Sequence, residues 1–258
     1  MYTGFEPQTL KVTLRTDRPE VIRLRVSDAE QTDTFFTNRY KTVAGEEVLY
    51  VRMPLSPRVA LVEVYNERIG NVPLKEETTF TLVGIEKAAL ERKMVAGDVA
   101  NQNLRAFLPF LSRFCYNAGR SAEGLYQSDC GRFNVSYQDV LRSKSTGKVV
   151  NTPARIGEQS GLIEFSKTAF VPMTVPMRMV IGLHEFSHFY LNENGASEIE
   201  ADKNALWIYL GLGFPRIEAY QAFLDTFKGA NTPQNQERAK LIDDFITEFE
   251  TTKTVIYD

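Results

Sequence analysis

Histidine and cysteine are both scarce in this chain, with two of each among 258 residues. Cys115 and Cys130 form no CxxC pair, which excludes a thiolate zinc knuckle and a thioredoxin-like motif. We expect both to be free thiols, because disulfide-stabilised scaffolds use many more cysteines. A cysteine nucleophile with a histidine partner is also disfavoured, since it would occupy one of only two histidines.

Long apolar runs and a strong excess of one charge are absent too. The formal net charge is -3 with a pI near 5.6, so electrostatics give no reason to expect a nucleic-acid or acidic-membrane partner. Runs such as LWIYLGLGF are far shorter than the roughly 20 residues that span a bilayer. The start, MYTGFEPQTLKV, has no basic segment followed by an apolar one. We therefore expect no signal peptide and no transmembrane segment, and a cytoplasmic location.

Residues 1–82 are predicted to form an all-β module, sandwich- or barrel-like. Apolar and polar residues alternate in TLKVTLR and EVIRLRV, as in half-buried strands. Polar breaks recur about every 8–12 residues, the spacing of a small β-sandwich or barrel. The sequence of this module contains no group of residues that suggests catalysis or metal binding. We therefore expect a role in binding or assembly, including formation of a homo-oligomer or larger assembly.

Residues 83–258 are predicted to form a second, mainly helical domain, which makes the fold class α+β. Helical spacing is found at 84–119, 175–191, 198–210, 215–228 and 234–250. Residues 120–160 are predicted to be loops with short elements, and GLIEFSK (161–167) is predicted to be a strand. Thr174 suits a helix N-cap, with Pro176 tolerated in the first turn.

The two histidines lie four residues apart in the segment HEFSH, with Glu185 beside the first. On a helix this spacing places His184 and His188 on one face, where both can bind one metal ion. Glu185 is rotated by about 100° from His184 and can act as a general base beside the ion. The alternative is two histidines that each make a local hydrogen bond. We favour the metal site, because random placement gives this arrangement roughly once in a thousand trials.

A third ligand must be a carboxylate, because a catalytic zinc site keeps three protein ligands and no histidine is left. The following segment supplies Glu193, Glu198, Glu200 and Asp202. Gly195 is expected to end the HEFSH helix in the left-handed conformation. Ser197 and Glu200 then fit a capping box at the start of a new helix, which gives Glu200 a structural task.

Glu198 is therefore the expected ligand, with Glu200 as its main competitor. Asp202 lies one helical turn beyond Glu198 and is expected to orient a ligand histidine. The alternative for these acids is a solvated first turn that the helix dipole favours. Two histidines and one glutamate suit Zn²⁺, although other divalent ions bind such sites.

HEFSH followed by SEIEAD resembles the gluzincin pattern of zinc metallopeptidases, HExxH and then ExxxD. The ExEAD form is similar to membrane zincins of the HtpX type and to small soluble zincins of the ImmA/IrrE group. The resemblance covers about residues 155–210. The nine residues between His188 and Glu198 are fewer than is usual in these families. The chain also shows no helix-turn-helix signal of an IrrE-type regulator.

This resemblance implies a zincin-like domain that hydrolyses a peptide or protein substrate. It implies that His184, His188 and Glu198 bind zinc, and that Glu185 takes a proton from the attacking water. It also implies that GLIEFSK is the edge strand along which the peptide lies. An additional donor to the transition state is expected. Tyr190, Tyr209, Tyr220 and Arg178 are candidates between which the sequence does not choose.

A second hypothesis is a structural protein that carries an active or inactive zincin domain. The segment EIEADKNALWIYLGLGFPRIEAYQAF is similar to sequences in phages of the Bacteroidota, including crAss-like phages. That resemblance implies a virion or tail component, with a virion-associated location. A third hypothesis is an inactive zincin that binds peptides.

Overall fold

The computed structural model describes residues 1–66, 79–157, 159–228 and 232–252 of the chain. The chain divides into two compact units, Met1–Glu91 and Arg92–Asp258. The fold class is α+β, because an antiparallel sheet precedes a region that contains six helices among its described residues. The division falls between residues 91 and 92, nine positions after the predicted end of the β module and inside the range of 82–100 where the sequence pattern changes.

The first unit is built on one long strand that pairs on both of its sides. The strands are β1 (Gln8–Asp28), β2 (Gln31–Met53), β3 (Ala60–Asn66) and β4 (Thr81–Ala89). β1 pairs with β2 along its length, while β4 and β3 pair with its first and second halves on the other side. TLKVTLR and EVIRLRV, predicted as separate strands, are therefore the two halves of β1.

A register shift between Thr16 and Glu20 replaces the expected turn within β1. Such an irregularity bends a strand without ending its pairing. The predicted alternation is confirmed on both sides of it, because the apolar side chains on the core face are at most 1% exposed: Leu10, Val12, Leu14, Ile22, Leu24 and Val26.

The predicted helix at 84–119 is wrong in its first half. Residues up to Ala89 belong to β4, and a short 3₁₀ helix (Ala96–Asp98) precedes α1 (Gln102–Asn117). Pairing with β1 overrides the helix-forming composition of EKAALE, since tertiary pairing outweighs local propensity. Asn101 begins α1 by accepting a hydrogen bond from the backbone N–H of Leu104.

The second unit contains a four-stranded sheet of order β5-β6-β8-β7. Its strands are β5 (Gly124–Gln127), β6 (Asn134–Gln138), β7 (Ala154–Ile156) and β8 (Ile163–Ser166). β8 lies between β6 and β7, so the prediction of GLIEFSK as the edge strand is wrong. All four residues of β8 are buried, so both faces of the strand are covered, as is typical of a central strand. The edge strands are β5 and β7, and both lie within the region predicted to be loops with short elements.

Five further helices follow: α2 (Lys167–Phe170), α3 (Val175–Tyr190), α4 (Glu198–Gly211), α5 (Arg216–Lys228) and α6 (Pro233–Thr252). The hydroxyl of Thr174 accepts from the N–H of Met177, which confirms the predicted start of α3. Residues 175–187 of α3 are all buried, as expected for a helix that is enclosed by its neighbours. Among the described residues, no helix has the length and apolar character of a membrane span.

Gly182 lets α1 approach α3 closely. A Cβ atom at this position would lie 2.5 Å from Cδ1 of Leu111, which is itself fully buried. Any larger residue would therefore force the two helices or the leucine to move. Elsewhere in the unit, Cys115 is buried and Cys130 is exposed, and both are free as expected.

Candidate metal centre

The two histidines of α3 and the first residue of α4 converge. The Nε2 atoms of His184 and His188 lie 3.1 Å apart. Glu198 places one carboxylate oxygen 3.4 Å from Nε2 of His184 and the other 3.6 Å from Nε2 of His188. The structure therefore brings together the three residues that the sequence predicted as ligands.

These separations are compatible with a metal-ligand set. Metal–ligand bonds of about 2.0–2.1 Å in a tetrahedral arrangement place the ligand atoms about 3.3 Å from each other. The observed separations of 3.1, 3.4 and 3.6 Å lie on either side of that value. His184, His188 and Glu198 are thus within metal-binding distance of one point.

The other ring nitrogen of each histidine faces an oxygen. Nδ1 of His188 lies 2.7 Å from the carbonyl oxygen of Gly195. Nδ1 of His184 lies 2.9 Å from Oδ1 of Asp202, although its N–H is not aligned well enough for a regular hydrogen bond. Both contacts favour the tautomer with the proton on Nδ1, which leaves Nε2 available for a metal. Asp202 thus occupies the position predicted for an orienting residue.

The connection between α3 and α4 differs from the predicted one at Gly195. α3 ends at Tyr190, and the N–H groups of Leu191 and Asn192 both donate to the carbonyl of Ser187. Gly195 is not in the left-handed region, so the predicted C-cap role is wrong. A Cβ there would lie 3.1 Å from the carbonyl oxygen of His188. Glycine therefore allows the chain to return close to the histidine that it supports.

The predicted capping box is half confirmed. The hydroxyl of Ser197 accepts from the N–H of Glu200 at 3.2 Å. The carboxylate of Glu200 does not return to Ser197, but accepts from the N–H groups of Glu193 and Asn194 at 2.8 and 3.4 Å. The backbone N–H of Ser197 donates instead to the carbonyl of Asn194. Glu200 is therefore occupied in holding the turn, and Glu198 is the acid that faces the histidines.

Arg238 in α6 is a site residue that the sequence did not predict. Its Nε and Nη2 atoms donate to Asp202 at 2.7 and 2.9 Å, and its Nη1 lies 3.0 Å from Glu198. Its guanidinium carbon lies 4.7 Å from the ring centre of Phe227. Arg238 belongs to no sequence motif of the site. It lies beside the ligands because α6 packs on α4, and this packing is not visible in the sequence.

The carboxylates make the centre attractive to positive charge. The hydrogen bond with His184 is the main cause that lowers the pKa of Glu198 to about 2. Burial lowers the pKa of His184, but the carboxylates of Asp202 and Glu198 have the larger effect and raise this pKa to about 10. Burial and the neighbouring His184 lower the pKa of His188. A metal cation at Nε2 would replace the proton that these acids stabilise.

Glu185 is buried beside the three ligand residues. Burial is the main cause that raises the pKa of its carboxyl group to about 7, and Glu198 adds to it. The backbone N–H of Ile156 in β7 donates to the Glu185 carboxylate and opposes this rise. The edge strand therefore lies directly against the residue predicted to be the general base.

A cleft of about 560 Å³ contains the centre. One wall is β7 with the two residues before it, and the other walls come from α3, the connection to α4, and the helices α5 and α6. Ile181, Phe189 and Phe223 supply apolar surface, while Arg155 and Arg238 supply positive charge. The cleft thus combines apolar side chains with polar and charged ones, as a site that orients a bound ligand does.

The four predicted transition-state donors lie elsewhere. The guanidinium of Arg178 donates to the carbonyls of Cys115, Phe170 and Val171 in the core. The hydroxyl groups of Tyr209 and Tyr220 bond to Pro215 and Asp243, and Tyr190 stacks on Phe186. Of the described residues that line the cleft, none belongs to this group.

Comparisons with known proteins identify no relative of this chain. No family model, no curated protein and no solved structure matches it. Functional interpretation therefore depends on the geometry and chemistry of the site itself.

Proposed function

We propose that this protein is a zinc-dependent metallopeptidase, as the gluzincin-like pattern of the sequence implies. The convergence of His184, His188 and Glu198, with Glu185 in the same cleft, is the observation that carries the proposal. Two imidazoles and one carboxylate form a zinc ligand set that leaves one coordination position open. Zinc bound there would polarise a scissile carbonyl group and lower the pKa of a water molecule.

Glu185 is the general base of the proposed reaction. Its carboxylate accepts the proton of the attacking water and passes it to the leaving amine. Its position in the cleft beside His184, His188 and Glu198 supports this role, because a general base must lie within reach of the water whose proton it accepts. The N–H of Ile156 donates to the carboxylate, and Glu185 lines the cleft.

The proposed substrate class is based on the edge strand β7. Among the described residues, β8 is the one strand that pairs with β7, and residues 152–156 line the cleft. The N–H of Ile156 already donates to Glu185, so a peptide would bond to other backbone groups of this edge. A strand of this kind can bind an extended peptide through backbone hydrogen bonds. We therefore assign to β7 the peptide-binding role that the sequence assigned to GLIEFSK.

The Glu185→Gln variant tests the proposed mechanism. We expect peptide hydrolysis to fall about 10²–10⁴-fold, because the amide cannot accept the proton. Zinc content should stay unchanged, because Glu185 is not a ligand. Hydrolysis of a random dodecapeptide mixture, measured by mass spectrometry, and elemental analysis provide the two readouts.

Glu193→Gln is the matched control, because Glu193 is an exposed acid on the connection between α3 and α4. This variant should keep both activity and zinc. Wild-type hydrolysis rates in Glu185→Gln would contradict the proposed mechanism. Absence of hydrolysis by zinc-loaded wild-type protein would contradict the proposed function itself.

A further inference from the structure

A second cavity, of about 220 Å³, adjoins the metal cleft. Pro153 and Thr226 line both cavities, so the two are neighbours. Asn151, Asp225 and Thr226 form the polar part of its lining. The lining residues other than these and Pro153 are all apolar, and we call the cavity the methionine pocket: Ala169, Pro172, Met173 and Met177. These residues come from α2, from the link after it and from the first turn of α3.

Two estimates from sequence separation place this pocket about 10 Å from the centre, one counted along α3 to His184 and one counted along β7 to Ile156, whose N–H donates to Glu185. Met177 precedes His184 by seven positions on α3, which corresponds to about 10 Å along the helix axis. Pro153 precedes Ile156 by three positions beside β7, which corresponds to about 10 Å of extended chain. A peptide alongside β7 advances about 3.3 Å per residue. Its second or third residue from the scissile bond therefore reaches the pocket.

The chemistry of the pocket selects apolar side chains. Methionine side chains are flexible and polarisable, so they adapt to apolar groups of different shape. The acid at the rim, Asp225, already accepts from Lys228 and Gln221 at 2.7 Å each. It therefore offers no uncompensated charge that would favour a basic side chain.

We propose that the methionine pocket is a specificity subsite for an apolar side chain of the peptide substrate, such as leucine, methionine or phenylalanine. The side chain belongs to the second or third residue on one side of the scissile bond. Ala169, Met173 and Met177 determine this preference. The inference rests on the proposed peptidase function and names the substrate feature that the same cleft recognises.

Ala169→Leu tests this subsite by filling it. Ala169 is only partly buried, so a larger side chain can enter the cavity without removing a core contact. Ala122→Leu is the matched control, because Ala122 is exposed and lies outside both cavities. Thermal unfolding and zinc content should be the same for both variants as for the wild type.

The readout is the cleavage pattern in a random dodecapeptide mixture, determined by mass spectrometry. The wild type and Ala122→Leu should enrich leucine, methionine and phenylalanine at one position, two or three residues from the cut. Ala169→Leu should lose about tenfold of the kcat/KM for peptides with these residues there, and keep its rate for peptides with glycine or alanine. Unchanged apolar enrichment in Ala169→Leu, or none in the wild type, would overturn the proposal.

A peptide-binding experiment distinguishes failure of this proposal from failure of the peptidase function. The same peptide mixture is captured on zinc-loaded, immobilised wild type and Ala169→Leu, and the bound peptides are sequenced. Apolar enrichment that only Ala169→Leu loses supports the pocket even if no peptide is cut, and in that case the peptidase function fails alone. If peptides are cut without apolar enrichment in either arm, the pocket proposal fails alone. If peptides are neither cut nor enriched, both proposals are overturned.

Discussion

Asp202 is the residue through which the site is held together. Its carboxylate contacts both Nδ1 of His184 and the guanidinium of Arg238, and it is almost fully buried. The sequence predicted the first contact, because Asp202 lies one helical turn beyond Glu198. It did not predict the second, since Arg238 is 36 positions away on another helix.

Replacement of Asp202 should weaken metal binding. We expect Asp202→Asn to lower zinc affinity about 10–100-fold, because a neutral amide oxygen accepts more weakly from Nδ1–H of His184 than the carboxylate does and so orients the ring less firmly. Competition with a chromophoric chelator measures the affinity. Asp244→Asn changes an exposed acid of α6 and should leave the affinity as it is. Equal affinities in all three proteins would argue against a role for Asp202.

Replacement of Arg238 should lower the stability of the protein even when no metal is bound. Its side chain is 10% exposed and pairs with Asp202, which is 4% exposed. Arg238→Met removes the salt bridge to that buried carboxylate and leaves it with His184 alone, so the free energy of unfolding of the metal-free protein should fall by about 1–3 kcal/mol. Urea denaturation measures this change. Lys240→Met, an exposed change on the same helix, should alter it by less than about 0.5 kcal/mol, and an equal loss in both variants would contradict the account.

At the scale of helices and strands, local signals predicted the elements that carry the ligands. The N-caps Thr174 and Ser197 lie where the sequence placed them, because each accepts a hydrogen bond from an amide three positions later. The edge strand and β4 were mispredicted, because the pairing of a strand depends on residues far away in sequence. β7 is only three residues long, which is too short to show the apolar–polar alternation of a strand.

The contact between α1 and α3 gives a test at this scale. Gly182→Ala should lower the free energy of unfolding by about 1–3 kcal/mol, because the added methyl group overlaps Leu111. Leu111→Ala alone should lower it by about 2–5 kcal/mol through the cavity that it leaves. In the double variant the new methyl group enters that cavity, so the loss should be smaller than the sum. Strict additivity in urea denaturation would contradict this close packing.

On the scale of the whole molecule, composition and pattern predicted the α+β class. They placed the end of the first region at residue 82, because EKAALE has the composition of a helix and hides the pairing of β4 with β1. Assembly through the β module, including a virion or tail role, stays a prediction. Native mass measurement would separate it from a simple enzyme, since assembly requires a large ring or filament.

The second unit should bind metal without the first. All described residues of the candidate centre lie between Arg92 and Asp258. We therefore expect a fragment of residues 92–258 to retain one equivalent of zinc, as measured by elemental analysis beside the intact chain. A fragment with native helical circular dichroism but no zinc would show that the first unit contributes to the centre.

The central claim is that Glu198 completes a metal site with His184 and His188. Zinc content of purified wild type, Glu198→Ala and Glu200→Ala tests it most directly, because each variant removes one of the two carboxylates in the first turn of α4. We predict about one equivalent of zinc in the wild type and in Glu200→Ala, and a large loss in Glu198→Ala. Full zinc occupancy in Glu198→Ala, or its loss only in Glu200→Ala, would contradict the account.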